Sequence, residues 1–226
     1  MKQHMQIAID GPVAAGKGTI ARLLAKKINA RYVDSGAMYR AVAVLGLRKN
    51  ISLENPVELL LELKKVPLRL RPARDKFSFD VYLNDENVQD NIRTSEVSRG
   101  SAVVAQFPKI RSYLVKIQKE IASKFSVVME GRDIGTVVLS NADIKIYLIA
   151  DQKTRALRRQ KQLEEKGEYV SFEKVLQETI ERDNRDMSRA INPLKKASDA
   201  IEFDTSNMSI EQVINELVEI IKEKKI

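Results

Sequence analysis

Between Gly11 and Thr19 the chain reads "GPVAAGKGT". Gly11, Gly16 and Lys17 have the spacing of a phosphate-binding loop, G-x-x-x-x-G-K, which normally continues with Ser or Thr. Here Gly18 takes the hydroxyl position and Thr19 follows one place late. The flanks supply the context such a loop requires. "MQIAID" before it reads as a short buried strand. "GTIARLLAKKI" after it puts Ile20, Leu23, Leu24 and Ile28 at helical spacing. The glycines let the backbone curl until its N–H groups face a polyphosphate. The helix adds the positive end of its dipole, and Lys17 can reach between β- and γ-phosphates. A glycine-rich turn that binds nothing is the competing reading, and strand, loop and helix in sequence argue against it. The whole stretch, Gly11, Pro12, Val13, Ala14, Ala15, Gly16, Lys17, Gly18 and Thr19, is the candidate ATP site.

Outward from the loop, the chain has the balance of a folded protein. Of its 226 residues, 43% are hydrophobic and 31% charged, which is enough for a full core. No apolar run approaches the roughly 18 residues of a membrane span, and "MKQHMQIAID" lacks an apolar signal core. There is no cysteine, so disulfides and cysteine metal sites are excluded. A cytoplasmic protein is expected, with no membrane partner. The net charge of +8 favours anionic partners: nucleic acid, anionic lipid or phosphorylated small molecules.

Strands and helices alternate through most of the chain. "ARYVDSG" reads as a strand and turn, followed by a helix from Met38 to about Arg48. "NPVELLLELKKV" reads as a helix. In "PLRLRPARDKFSFDVYLNDENV", Phe77, Phe79, Val81 and Leu83 alternate with polar neighbours, which predicts a half-buried strand in an antiparallel patch, with "NDEN" as its turn. Helices are expected over 96–106 and 108–124. "SVVMEG" and "DIKIYLIA" have the apolar character of interior parallel strands. "DQKTRALRRQKQLEEKG" reads as a charged helix too polar to pack in a core. "SFEKVLQETIERDNRDMSR" opens with a capping signal, "AIEFDT" reads as a last strand, and an amphipathic helix closes the chain. The pattern predicts an α/β core built on a mainly parallel sheet, interrupted by the antiparallel patch as an insertion.

Three further segments bear chemistry. "VDSGAMYRA" sets Asp34, Ser35, Tyr39 and Arg40 just beyond a strand. "MEGRDIGT" sets Arg132 and Asp133 at a strand end, where open α/β sheets bind ligands. "ERDNRDMSR" sets Arg182, Asp186 and Arg189 on one helix face. Alone, the last is as well read as an exposed salt-bridged surface. In this order, with "GPVAAGKGT", the segments resemble the bacterial-type cytidylate kinases within the nucleoside monophosphate kinases. The resemblance runs from about Gln6 to the final helix.

That resemblance implies a P-loop kinase core with a five-stranded parallel sheet flanked by helices, an inserted monophosphate-binding domain with a small antiparallel sheet, and a short helical lid. It implies a core over 1–35 and 110–226, a monophosphate-binding part over 36–109 and a lid within 152–169. It implies ATP-dependent phosphorylation of CMP and dCMP to CDP and dCDP, with Mg²⁺ accompanying ATP, no metal site made by the protein, no nucleic-acid partner and a monomer. Residue by residue, it places Ser101, Arg111 and Asp133 at the cytosine ring and Arg182 and Asp186 at the ribose. Arg40, Arg132 and Arg189 fall around the monophosphate, with Ser35 in the same wall, and Arg155, Arg158 and Arg159 in the lid. Lys17, Arg132, Arg155, Arg158, Arg159 and Arg189 are the implied catalytic group.

The resemblance also accounts for Gly18, since "GKGT" is a familiar ending in monophosphate kinases. With no hydroxyl there, Mg²⁺ is expected to rest on nucleotide oxygens and water. Gly is common in this branch where Ala14 stands; alanine tolerates ordinary backbone angles, so little damage to the loop is expected. Asn184 replaces a frequent acid. Other kinases of small molecules, a P-loop nucleic-acid-binding protein and a non-catalytic nucleotide sensor are the competing classes. The absence of an aromatic-basic strand weighs against nucleic acid.

Overall fold

The computed structural model describes residues 4–224. The chain runs β1 (Gln6–Asp10), α1 (Lys17–Lys27), β2 (Arg31–Asp34), α2 (Ser35–Arg48), α3 (Pro56–Lys65), β3 (Leu68–Pro72), β4 (Phe79–Leu83) and β5 (Glu86–Asn87). It continues with α4 (Ser95–Val104), α5 (Pro108–Lys124), β6 (Val127–Gly131), β7 (Ile144–Ile149), α6 (Gln152–Glu164), α7 (Phe172–Ser188), β8 (Ile201–Asp204) and α8 (Ile210–Glu223). A five-stranded sheet of order β2-β6-β1-β7-β8, parallel throughout, is covered by helices. Its central strands are apolar on both faces because both are covered, and Ile7, Ile9, Val128 and Leu148 are wholly buried.

Register positions the site. Asp10 pairs with Gly131, and Asp34 with Glu130. The loop after β1, the turn after β2 and the "GRD" segment after β6 therefore leave the sheet at one edge, its carboxyl end.

A second apolar cluster lies beside the first. Met38 and Val42 of α2 meet Leu59, Leu63, Val81, Ile92, Ile110 and Leu114. The antiparallel sheet β3-β4-β5 covers part of it. Phe79, Val81 and Leu83 are buried in alternation, as their pattern predicts, and the turn at Asn84 uses a positive φ of 54°. The Tyr32 N–H donates to Phe77 O at 2.7 Å, joining this unit to the edge of the large sheet.

Three local features differ from the sequence reading. Helix α2 begins at Ser35 rather than Met38, because the Asp34 carboxylate caps it by accepting from Ala37 N–H. Helix α6 is not too polar to pack: Ala156 and Leu163 join Val175 of α7 in a small cluster, and even Arg155 is buried. Beyond β6 the chain makes a π-helical turn over Ile134–Val138. The Asp10 carboxylate accepts from Ile134 N–H at 2.8 Å and Gly135 N–H at 2.7 Å, tying this turn to the end of β1. Burial pushes the Asp10 carboxyl up to about 6, even though those two N–H groups pull it down.

Candidate active site at the carboxyl edge of the sheet

A cavity of about 870 Å³ opens at this edge, lined from the loop, α2, α4, α5, the "GRD" segment, α6 and α7. The loop side is shaped by backbone. Gly11 has φ 151°, and a Cβ there would sit 2.0 Å from Leu148 O, so no other residue fits. Gly16 has φ 90°. Ala14 has φ 57°, in the left-handed region rather than at the ordinary angles that alanine tolerates without strain. The Lys17 ammonium is buried and donates to Pro12 O at 2.6 Å. Burial, with Arg132 adding to it, lowers Lys17 to about 7.

The opposite wall is made of side chains fixed by carboxylates and carbonyls. Arg132 Nε donates to Asp186 Oδ2 at 2.8 Å, and Arg189 Nε to Asp186 O at 3.3 Å. Burial opposes the Asp186 charge, yet Arg132, Arg189 and Arg182 hold its carboxyl below the usual range. Arg182 itself is lowered to about 10 by burial and by Arg132. Arg111 forms a buried ion pair with Asp133, donates to Ala105 O at 3.0 Å and lies 5.3 Å from the Tyr39 ring centroid. Arg40 donates to Asp34 Oδ2 at 2.6 Å, Ser35 Oγ to Glu130 O at 2.7 Å and Ser101 Oγ to Ser98 O at 2.8 Å. Three of these arginines, Arg40, Arg111 and Arg189, each keep a buried guanidinium nitrogen with no hydrogen-bond partner.

The residues singled out from the sequence mostly converge here. Val13, Ala14, Gly16, Lys17, Gly18 and Thr19 line the cavity from the loop. So do Ser35, Arg40, Ser101, Arg111, Arg132, Asp133, Arg159, Arg182, Asp186 and Arg189 from the other elements. Gly11, Pro12 and Ala15 lie behind the loop surface. Arg155 and Arg158 are not among the lining residues, although Arg158 Nη1 stands 3.9 Å from where a Cβ at Gly16 would lie. Arg155 is ion-paired with Asp183, and Arg158 donates to Thr205 O at 2.8 Å. Glu130 was missed, although it stands at the end of an interior strand in the quoted "MEGRDIGT". It lines the cavity with Tyr32, whose hydroxyl donates to Glu130 Oε1 at 3.3 Å. Burial, and Asp34 beside it, raise the Glu130 carboxyl.

Across one cavity the loop faces Arg40, Arg111, Arg132, Arg159, Arg182 and Arg189, an arrangement that suits an anionic ligand, and comparison with known proteins gives it a family. The sequence profile of the family described as cytidylate kinase matches residues 7–223. The chain belongs to the cytidylate kinase family. A cytidylate kinase of Carboxydothermus hydrogenoformans is 46% identical over 97% of this chain and 98% of its own. The cytidylate kinase of Bacillus subtilis is 40% identical over 99% of both. An uncharacterized protein from Eubacterium ventriosum has a crystal structure that shares the fold, with TM-score 0.54 over 97% of this chain and 99% of its own at 16% identity. Within the cytidylate kinase family, the cavity described above spans the segments that carried the sequence resemblance.

Proposed function

We propose that the protein transfers the terminal phosphoryl group of ATP to CMP or dCMP, giving ADP with CDP or dCDP. The observation that carries this reading is the convergence of Arg40, Arg132, Arg182 and Arg189 on the cavity that the loop also lines. Guanidinium planes suit bidentate phosphate contact. The loop and Lys17 take the donor phosphates. Arg40, Arg132 and Arg189 take the acceptor phosphate, Arg182 and Asp186 the ribose, and Ser101, Arg111 and Asp133 the base. Arg159 reaches the cavity from α6.

The chemistry asks little of the protein beyond placement. The acceptor phosphate is already an anionic nucleophile near neutral pH, so no general base is required. In-line positioning and charge compensation supply the acceleration. Closure of 152–169 over the cavity excludes water, a competing acceptor. Contacts that support closure are Ser95 Oγ to Glu168 Oε2 at 2.8 Å and Lys166 Nζ to Arg93 O at 3.0 Å. The same proposal assigns 1–35 and 110–226 to the donor core and 36–109 to the acceptor-binding part.

Mg²⁺ belongs to this reading. A Cβ at Gly18 would lie 3.4 Å from Glu130 Oε1, so a carboxylate faces the place where the usual loop hydroxyl would stand. Hard oxygen donors of this kind suit Mg²⁺, and Glu130 would hold it through its water shell. The cation would supply neutralisation of the donor phosphates. We further assign a cytoplasmic monomer without a nucleic-acid partner. No helix among the described residues is long and apolar enough to cross a membrane.

The test is ADP release in a coupled assay with CMP, dCMP, UMP, AMP and GMP in parallel. CMP and dCMP should lead. A leading purine monophosphate, or no dependence on any acceptor, would overturn the assignment.

A further inference from the structure

Both backbone polar groups of Val13, inside the phosphate loop, are held by side chains remote in sequence. The Val13 N–H donates to Asp183 Oδ1 at 3.0 Å, and Val13 O accepts from Arg155 Nη1 at 3.1 Å. Arg155 and Asp183 are ion-paired to each other, and Arg155 Nε donates to Ala150 O, just past β7, at 2.9 Å. The loop, α6, α7 and the end of β7 are thus closed into one ring of polar contacts. The side chains of Arg155 and Asp183 are only 5% and 7% exposed, and neither lines the cavity.

Asp183 lies on α7 between Arg182 and Asp186, which do line the cavity. One turn of helix therefore faces the acceptor pocket on one side and grips the donor loop on the other. A buried ion pair is weak evidence of stabilisation, since apolar replacements are often as stable. What this pair fixes is the orientation of a single peptide unit, and loop N–H groups bind phosphate only when correctly aimed.

We propose that Asp183 and Arg155 are positioning residues for the donor loop, and that through α7 they make acceptor binding tighten donor binding. The inference rests on reading Gly11–Thr19 as the donor-phosphate site. Coupling of this kind is reciprocal, so each ligand raises the affinity of the other by one factor.

The experiment uses the full chain with the imido analogue of ATP and Mg²⁺, which binds without turnover, and measures its affinity with and without CMP. Asp183→Asn keeps the shape and the acceptor for Val13 but removes the ion pair. Arg155→Lys keeps the charge but cannot span three acceptors. Analogue affinity should fall about tenfold or more in both, CMP affinity alone should stay within about twofold, and the gain from CMP should shrink toward one. Steady-state KM should rise for ATP and hold for CMP. If a single variant does not fold, the neutral pair Asp183→Asn with Arg155→Gln repeats the measurement. A folded variant with wild-type analogue affinity overturns the inference, as does an equal loss of CMP affinity, which a merely structural role would produce. A wild-type protein that bound no analogue would overturn the donor-loop reading and this inference with it.

Discussion

The two sides of the cavity are built in opposite ways. The donor side is one unbroken stretch, Gly11–Thr19, whose shape lies in positive-φ residues and close backbone approaches. The acceptor side is assembled from α2, α4, α5, the "GRD" segment and α7, and its polar atoms belong to side chains already paired with one another. A backbone site recognises phosphate, which every nucleotide carries. A side-chain site can distinguish one base from another. The contrast predicts that donor-side substitutions change the rate for all acceptors alike, while acceptor-side substitutions change the choice among them.

The largest effect should come from the one donor-side group that acts by its charge. Lys17→Ala should cut kcat by about a hundredfold or more, equally for CMP and UMP, with the thermal transition retained. Turnover near wild type in a folded variant would remove Lys17 from the mechanism.

Asp133→Asn tests the other side. A carboxylate accepts a hydrogen bond from the cytosine amino group, whereas the uracil carbonyl would oppose it lone pair to lone pair. A hydrogen bond to a charged group is worth about 1.5–3 kcal/mol, so the variant should narrow the CMP:UMP ratio of kcat/KM by roughly tenfold to a few hundredfold. The structure defines the rival account: Asp133 pairs with Arg111, so it could act by orienting Arg111 alone. In that case both substrates would lose the same factor and the ratio would not move.

The same contrast explains what could be read in the sequence. The donor loop was legible because nine consecutive residues carry it, and strand and helix flank it. The parallel strands and α5 were legible because burial on both faces, or a helical period with Pro108 at its start, leaves a local mark. On the acceptor side, Ser101 and Arg111 carry no mark of their own: Ser101 looks like a helix-surface serine until α4 packs against α2. Glu130 was passed over because a lone acid at a strand end signals nothing without Gly18 facing it. The packing of α6 was missed because Ala156 and Leu163 are too few to give a visible stripe in a charged helix. The bracket on Val13 joins positions 13, 155 and 183, which no local pattern can connect.

A third prediction sharpens the donor side through pH. In the empty site Lys17 titrates at about 7, because burial and Arg132 disfavour its charge. Bound phosphates restore that charge and raise the pKa. Below about pH 7 the ammonium is protonated both with and without ATP, so this group adds no pH dependence. Above it, binding takes up a proton, and ATP affinity should fall as pH rises, by up to about tenfold per unit. Calorimetry in two buffers of different ionisation heat should show this uptake at pH 8. Lys17→Arg, charged throughout, should abolish it. Equal uptake in that variant would place the proton elsewhere.

The smallest effect bears on whether the donor side is a backbone device at all. Ala14 holds φ 57° with a Cβ attached. For an L-residue that region costs roughly 1–2 kcal/mol, while glycine enters it freely and loses only some of the advantage to its greater freedom when unfolded. Ala14→Gly should therefore stabilise the protein by about 0.5–1 kcal/mol, near 1–4 °C in Tm for a chain of this size. Ala15, the next residue, is the control. It is 1% exposed, packs in the cluster beneath the sheet and is not among the positive-φ residues, so Ala15→Gly loses a buried methyl and gains nothing. The same substitution at adjacent positions should move Tm in opposite directions. If both lower it, the loop's shape is set by side-chain packing rather than by backbone conformation, and the contrast between the two walls fails on the donor side.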